Sequence, residues 1–99
     1  MDTATQLTRD SALAEIASLA LSAETPEAAN GYRHAALVIA HFPVPRALLQ
    51  LQRHAGFVGP QEKRSAYLTS SAILARHTGE TAERPASIAA AELPGFAFA

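Results

Sequence analysis

Histidine is the residue type in this chain best suited to chemistry, because imidazole can bind a metal ion or move a proton near neutral pH. The chain has four histidines. His34 and His41 are separated by two turns of one predicted helix, about 10 Å along its axis, so they cannot share an ion. No H-x-x-x-H or E-x-x-H pattern occurs. A composite site with His54 or His77 stays open, but we interpret the histidines as solvated or bonded in the core and predict no metal.

A second chemical possibility is a nucleophile activated by a histidine. Thr69, Ser70 and Ser71 precede His77 on one predicted helix, but such catalysis needs the hydroxyl and the base within hydrogen-bond reach in a pocket. Small hydroxyl residues on an Ala-rich helix are more typical of a packing face. Glycine patterns that cradle phosphate are absent as well. We therefore predict no enzymatic activity, no catalytic residue and no cofactor.

The elements that must position these side chains are helices. Apolar residues recur at helical spacing over residues 3–22. Asp10 or Ser11 could cap this helix internally, which would limit its firm part to 11–23 and leave 1–10 as a loose lead-in. The next helix is marked most clearly, because Thr25 suits the N-cap and Pro26 the first position.

That second helix is predicted from Pro26 to about His41, and Gly31 within it could mark a close helix crossing. Prolines at 43 and 45 break the chain and start a third helix, predicted over 45–55 with Gly56 as its C′ residue. A fourth helix is predicted to open at Gly59 and Pro60 and to close with Gly79. A last short helix is predicted at 85–93.

These elements predict an all-α protein, a small irregular bundle of four to five short helices. Ninety-nine residues suffice for one domain, which we place at 1–99, with the lead-in 1–10 and an apolar tail 94–99. The tail could fold back, fray, or dock on a partner. There is no cysteine, no apolar run long enough for a membrane span and no signal-peptide pattern. We therefore expect a cytoplasmic protein without a membrane partner.

Charge is strongly segregated along the chain. Residues 1–27 carry a net charge of −4, residues 28–77 carry +5 and residues 78–99 carry −2. Acidic and basic helices could simply pair across the fold. Alternatively, the basic middle block meets an anionic surface of a partner.

The basic middle block supplies the candidate partner-binding surface. We expect it to meet a protein or nucleoprotein with an anionic surface; direct contact with nucleic acid and self-association stay open. The candidate residues are Arg33, Arg46, Gln50, Arg53, Lys63, Arg64 and Arg76.

Residues 40–69, AHFPVPRALLQLQRHAGFVGPQEKRSAYLT, resemble the end of a winged helix-turn-helix regulator. The resemblance implies that Arg46, Gln50 and Arg53 face the major groove and that Lys63 and Arg64, on a wing strand, face the DNA backbone. It covers about a third of the chain. The sequence departs from that pattern in its short third helix and in the Gly-Pro pair, which leaves little room for a first wing strand.

Two functional hypotheses follow. The first is a non-enzymatic helical protein that binds a macromolecular partner stoichiometrically, such as a phage or mobile-element inhibitor of a nucleic-acid-handling machine, of which anti-CRISPR proteins are examples. It rests on size and on the lack of catalytic motifs. The alternative is a DNA-binding regulator with a degenerate winged helix-turn-helix.

Overall fold

The structure, a computed structural model, describes residues 3–83, with side chains from Thr8 onward. It contains four α-helices: α1 Thr3–Ser22, α2 Pro26–His41, α3 Val44–Phe57 and α4 Gln61–Thr78. No strand occurs within residues 3–83, so the predicted all-α class is confirmed and the helix number agrees with the predicted four to five. The helix expected at 85–93 and the tail 94–99 lie outside the described residues. None of the helices described is both long and apolar enough to cross a membrane.

α1 is continuous from Thr3 to Ser22, which agrees with the wider of the two predicted ranges. The internal cap at Asp10 or Ser11 is wrong, and residues 3–10 form the first turns of the helix instead of a loose lead-in. Contact with α2 explains this. One guanidinium nitrogen of Arg9 donates to the carbonyl oxygens of Ile39 and Phe42, each at 3.4 Å, so the start of α1 is held against the end of α2.

α2 begins as predicted. The Thr25 hydroxyl accepts a hydrogen bond of 3.1 Å from the amide of Ala28, and Pro26 occupies the first turn, where a missing N–H has no cost. The helix ends at His41, and the amide of Phe42 still bonds the carbonyl of Val38.

α3 differs from its prediction at the C-terminal end. It continues through Gly56 to Phe57, and Val58, in extended conformation, is the cap residue. Gly56 is therefore not the C′ residue. The chain leaves the helix at Val58, two residues before Pro60.

α4 begins at Gln61, one residue after Pro60, which is its cap. Its end agrees with the prediction, since Gly79 adopts a left-handed conformation with φ 73° and its amide bonds the carbonyl of Ala75. A side chain is strained in that conformation, which is why glycine suits this position.

α2 and α4 form the centre of the bundle, and α1 and α3 pack on both of them. Gly31 marks the close approach that the sequence suggested, because a Cβ atom there would lie 2.7 Å from the Cβ of Ala66 and 3.1 Å from the carbonyl oxygen of Lys63. Leu37 of α2 is exposed. The core comprises Ala12, Ile16, Ala35, Val38, Ile39, Val44, Ala47, Leu48, Leu51, Ala55, Tyr67, Ile73 and Leu74.

Candidate partner-binding surface

Arg46, one of the seven candidate residues, is bound within the protein. Its guanidinium makes two hydrogen bonds, of 2.8 and 3.0 Å, to the two carboxylate oxygens of Glu83. The bond from Arg46 lowers the pKa of the Glu83 carboxyl, and the same bond raises the pKa of Arg46. The amide of Glu83 also donates to the carbonyl of Pro45 at 2.9 Å. This pair therefore fastens the segment after α4 to the start of α3.

Arg76 is neutralised in the same way at another place. Glu15 of α1 accepts a hydrogen bond of 2.8 Å from Arg76 and lies 2.8 Å from Nε2 of His77, both on α4. The bonds from His77 and Arg76 lower the pKa of Glu15. For Arg46 and Arg76, then, the basic block is paired with the acidic ends of the chain.

Two further candidates lie on α2 and α3. Arg33 is exposed, donates to the side-chain oxygen of Asn30 at 3.2 Å and borders a shallow groove between α1 and α2 with Leu21 and Leu37. Gln50 is partly exposed on α3.

The remaining three candidates flank the turn at which α3 ends and α4 begins. Arg53 is exposed near the end of α3, and Lys63 and Arg64 follow in the first turn of α4. Arg64 donates to the carbonyl oxygen of Val58 at 3.3 Å, which places its charge beside the turn. None of the three takes part in an ion pair with another described residue. We call these residues, with Phe57, the turn surface.

Phe57 belongs to the turn surface, although the sequence analysis did not include it among the candidate residues. Its side chain is 87% exposed. Because α3 continues through Gly56, Phe57 lies one turn after Arg53 on the same helix face. The i, i+4 spacing would have revealed this relation had the helix not been ended at Ala55.

Beneath the turn surface, three aromatic rings join α2, α3 and α4. The ring centroids of His34 and His54 are 4.9 Å apart, and those of His54 and Tyr67 are 5.7 Å apart. Nδ1 of His34 shares a hydrogen bond of 2.6 Å with the hydroxyl of Tyr67. Burial lowers the pKa of His34, and the charges of His54 and Lys63 lower it further; burial raises the pKa of Tyr67.

The rings of His34 and His54 do lie close together, as a composite site would require. Their contacts with each other and with Tyr67, however, are those of a packed core. Tyr67 is 1% exposed and its hydroxyl is already bonded to His34. Among the described residues, no group of three or more His, Cys, Asp or Glu side chains could hold a metal ion. The cluster joins α3 and α4, which carry the turn surface, to α2.

Of the three hydroxyl residues that precede His77 on α4, two are buried and the third, Thr69, is exposed. Ser70 and Ser71 are buried on α4, and Oγ of Ser70 has no hydrogen-bond partner in the structure. His77 itself is engaged with Glu15. A hydroxyl enclosed in this way offers no access to a substrate.

No protein-family model, no curated protein and no solved structure matches this chain.

Proposed function

We propose that this chain is a cytoplasmic, non-enzymatic protein that binds one macromolecular partner, a protein or nucleoprotein with an anionic surface, in a fixed ratio. One observation carries the proposal. Arg53, Lys63 and Arg64 flank the turn between α3 and α4 and have no ion-pair partner among the described residues, whereas Arg46 and Arg76 are paired with Glu83 and Glu15. Cations that are left unpaired on a surface favour association with an anionic partner.

As a narrower form of the proposal, the partner is a nucleic-acid-handling machine that the protein inhibits, as small phage and mobile-element proteins of the anti-CRISPR kind do. The support is that no catalytic motif was found in this sequence. An inhibitor that works by occupying a surface needs a rigid patch and no chemistry of its own.

Co-purification from the native cells tests the proposal. The wild-type protein should retain one partner at constant stoichiometry through size-exclusion chromatography. Charge reversal in Arg53→Glu with Arg64→Glu should break the complex, because both side chains would then repel an anionic surface. The helical circular-dichroism signal should stay unchanged, since both residues are exposed. A complex that survives the double reversal would show that the turn surface is not the binding surface.

The second candidate function is direct DNA binding, and the cations of the turn surface are the observation that favours it. Two features of the winged helix-turn-helix resemblance are not met. Lys63 and Arg64 lie in α4, where the resemblance implies a wing strand, and Arg46 is bound to Glu83 rather than free to enter a groove. A direct binder should shift a nonspecific duplex in a gel at low salt and lose affinity steeply as salt rises. Absence of a shift at low salt would contradict this candidate.

A further inference from the structure

The most exposed aromatic ring of the described chain is Phe57. Two large apolar residues share the highest exposure, Phe57 and Leu21, at 87% each. Leaving a phenylalanine side chain in water instead of burying it is unfavourable. Fully exposed leucines and phenylalanines occur singly on many proteins, so exposure alone does not identify a binding site.

The surroundings of Phe57 distinguish it from Leu21. Arg53 precedes it by one turn on the same face of α3, and Arg64 is held at the carbonyl oxygen of the next residue, Val58. Phe57 is therefore exposed at the turn, with one arginine a helical turn before it on α3 and another bonded to the residue that follows it.

This arrangement has the composition of an interface anchor. Aromatic and arginine side chains are enriched in the parts of protein interfaces that contribute most to binding free energy. An aromatic ring gains most in an apolar pocket, while the flanking guanidiniums gain most from carboxylates at the rim, with which arginine makes paired hydrogen bonds. The complementary surface is thus an apolar pocket edged by Asp and Glu.

Single-stranded nucleic acid is a less suitable occupant. Such strands are bound by grooves that follow the phosphates and by several aromatic platforms, whereas the turn surface has one exposed aromatic ring. The formal net charge of the chain is −1, while nucleic-acid-binding domains are usually strongly basic.

Building on the proposed function, we infer that Phe57 is the anchor of the turn surface and inserts into an apolar pocket on a protein partner, with Arg53 and Arg64 bound to carboxylates at the rim of that pocket.

Selection from a library of random peptides displayed on phage tests this inference without knowledge of the partner. The wild-type protein is the target, and Phe57→Ala is the counter-selection target. Selected peptides should contain an aromatic or long aliphatic residue flanked by Asp or Glu. As synthetic peptides they should bind Phe57→Ala about tenfold or more weakly, as expected for truncation of an interface anchor. Leu21→Ala, which removes an equally exposed side chain, should bind them like the wild type.

Three results would overturn the inference: no selected peptide, peptides without acidic residues, or peptides that bind Phe57→Ala as tightly as the wild type. A labelled oligothymidine strand and a DNA duplex are measured in parallel. If the oligothymidine strand or the duplex binds the wild type and not Phe57→Ala, the surface binds nucleic acid and the inference is overturned.

If the cellular complex persists in Phe57→Ala but not in Arg53→Glu with Arg64→Glu, this inference fails while the proposed function stands. If no cellular complex forms at all, the proposed function fails.

Discussion

Nδ1 of His34 lies 2.6 Å from the hydroxyl oxygen of Tyr67, and this hydrogen bond joins the two central helices directly below the turn surface. The ring of His54 contacts both side chains from α3. The charged form of His34 is disfavoured there by burial and by the charges of His54 and Lys63. The stability of this end of the bundle is therefore linked to pH.

The first prediction concerns that linkage. Since the pKa of His34 is lower in the folded protein than its ordinary value of 6.5, the unfolded chain binds more protons over the interval between the two values. The contribution of His34 to the free energy of unfolding should be fully present above its ordinary pKa. It should be lost as the pH falls from that value to the lower pKa of the folded protein. Urea denaturation midpoints measured at successive pH values should show this loss. A second loss belongs to more acidic pH, because the lowered pKa values of Glu15 and Glu83 delay protonation of their carboxylates.

A matched pair of variants assigns the first loss to its residue. His34→Gln keeps a polar side chain near Tyr67 but does not titrate, so its midpoint should depend less on pH in this interval. His41→Gln changes an exposed histidine at the far end of the same helix and should keep the wild-type dependence. A wild-type slope in His34→Gln would contradict the assignment.

The second prediction compares two glycines in helices. In Gly31→Ala the new methyl group would meet the Cβ of Ala66 at 2.7 Å and the backbone of Lys63, and backbone cannot move aside cheaply, so we expect a loss of about 1–3 kcal/mol. In Gly56→Ala the methyl group meets nothing. That variant should gain about 0.5–1 kcal/mol, because alanine is the better helix former. Denaturation midpoints that move in the same direction would contradict the close packing of α2 on α4.

The third prediction concerns the segment after α4. Arg46→Gln removes the paired bonds to Glu83, so the amide of Glu83, which donates to Pro45, should exchange with deuterium faster. Both side chains are partly exposed, so the free energy of unfolding of the whole protein should change little. Arg76→Gln removes an ion pair elsewhere and should leave exchange at Glu83 unchanged. Equal exchange in both variants and the wild type would show that the ion pair does not hold this segment.

The sequence alone was sufficient to predict a helix end where the backbone conformation at that position suits only a few residue types. Thr25 and Pro26 located the start of α2, and Gly79 located the end of α4, because each position has a demanding geometry that few residues meet. Gly31 similarly indicated the close crossing. Gly56 misled for the converse reason: glycine is tolerated within a helix as well as after it, and nothing local decides between the two.

Relations between distant residues were beyond the sequence. His34 and His54 lie on different helices, and spacing within one helix says nothing about contacts between helices. Charge segregation suggested that acidic and basic segments could pair, but not that Glu83 would take Arg46 and Glu15 would take Arg76. Because α3 extends to Phe57, this residue lies on the same helix face as Arg53. The sequence analysis ended the helix at residue 55 and therefore missed the most exposed aromatic residue of the surface.

We propose that the turn surface, and not the basic block as a whole, binds the partner. The most direct measurement is the dissociation constant of the purified complex for two matched double variants, Arg53→Gln with Arg64→Gln and Arg46→Gln with Arg76→Gln. Each removes two positive charges. We predict that the first weakens binding about tenfold or more and that the second leaves it near the wild-type value, because its arginines already have partners within the protein. Equal weakening by both variants, or weakening by the second alone, would show that the turn surface is not the specific binding surface.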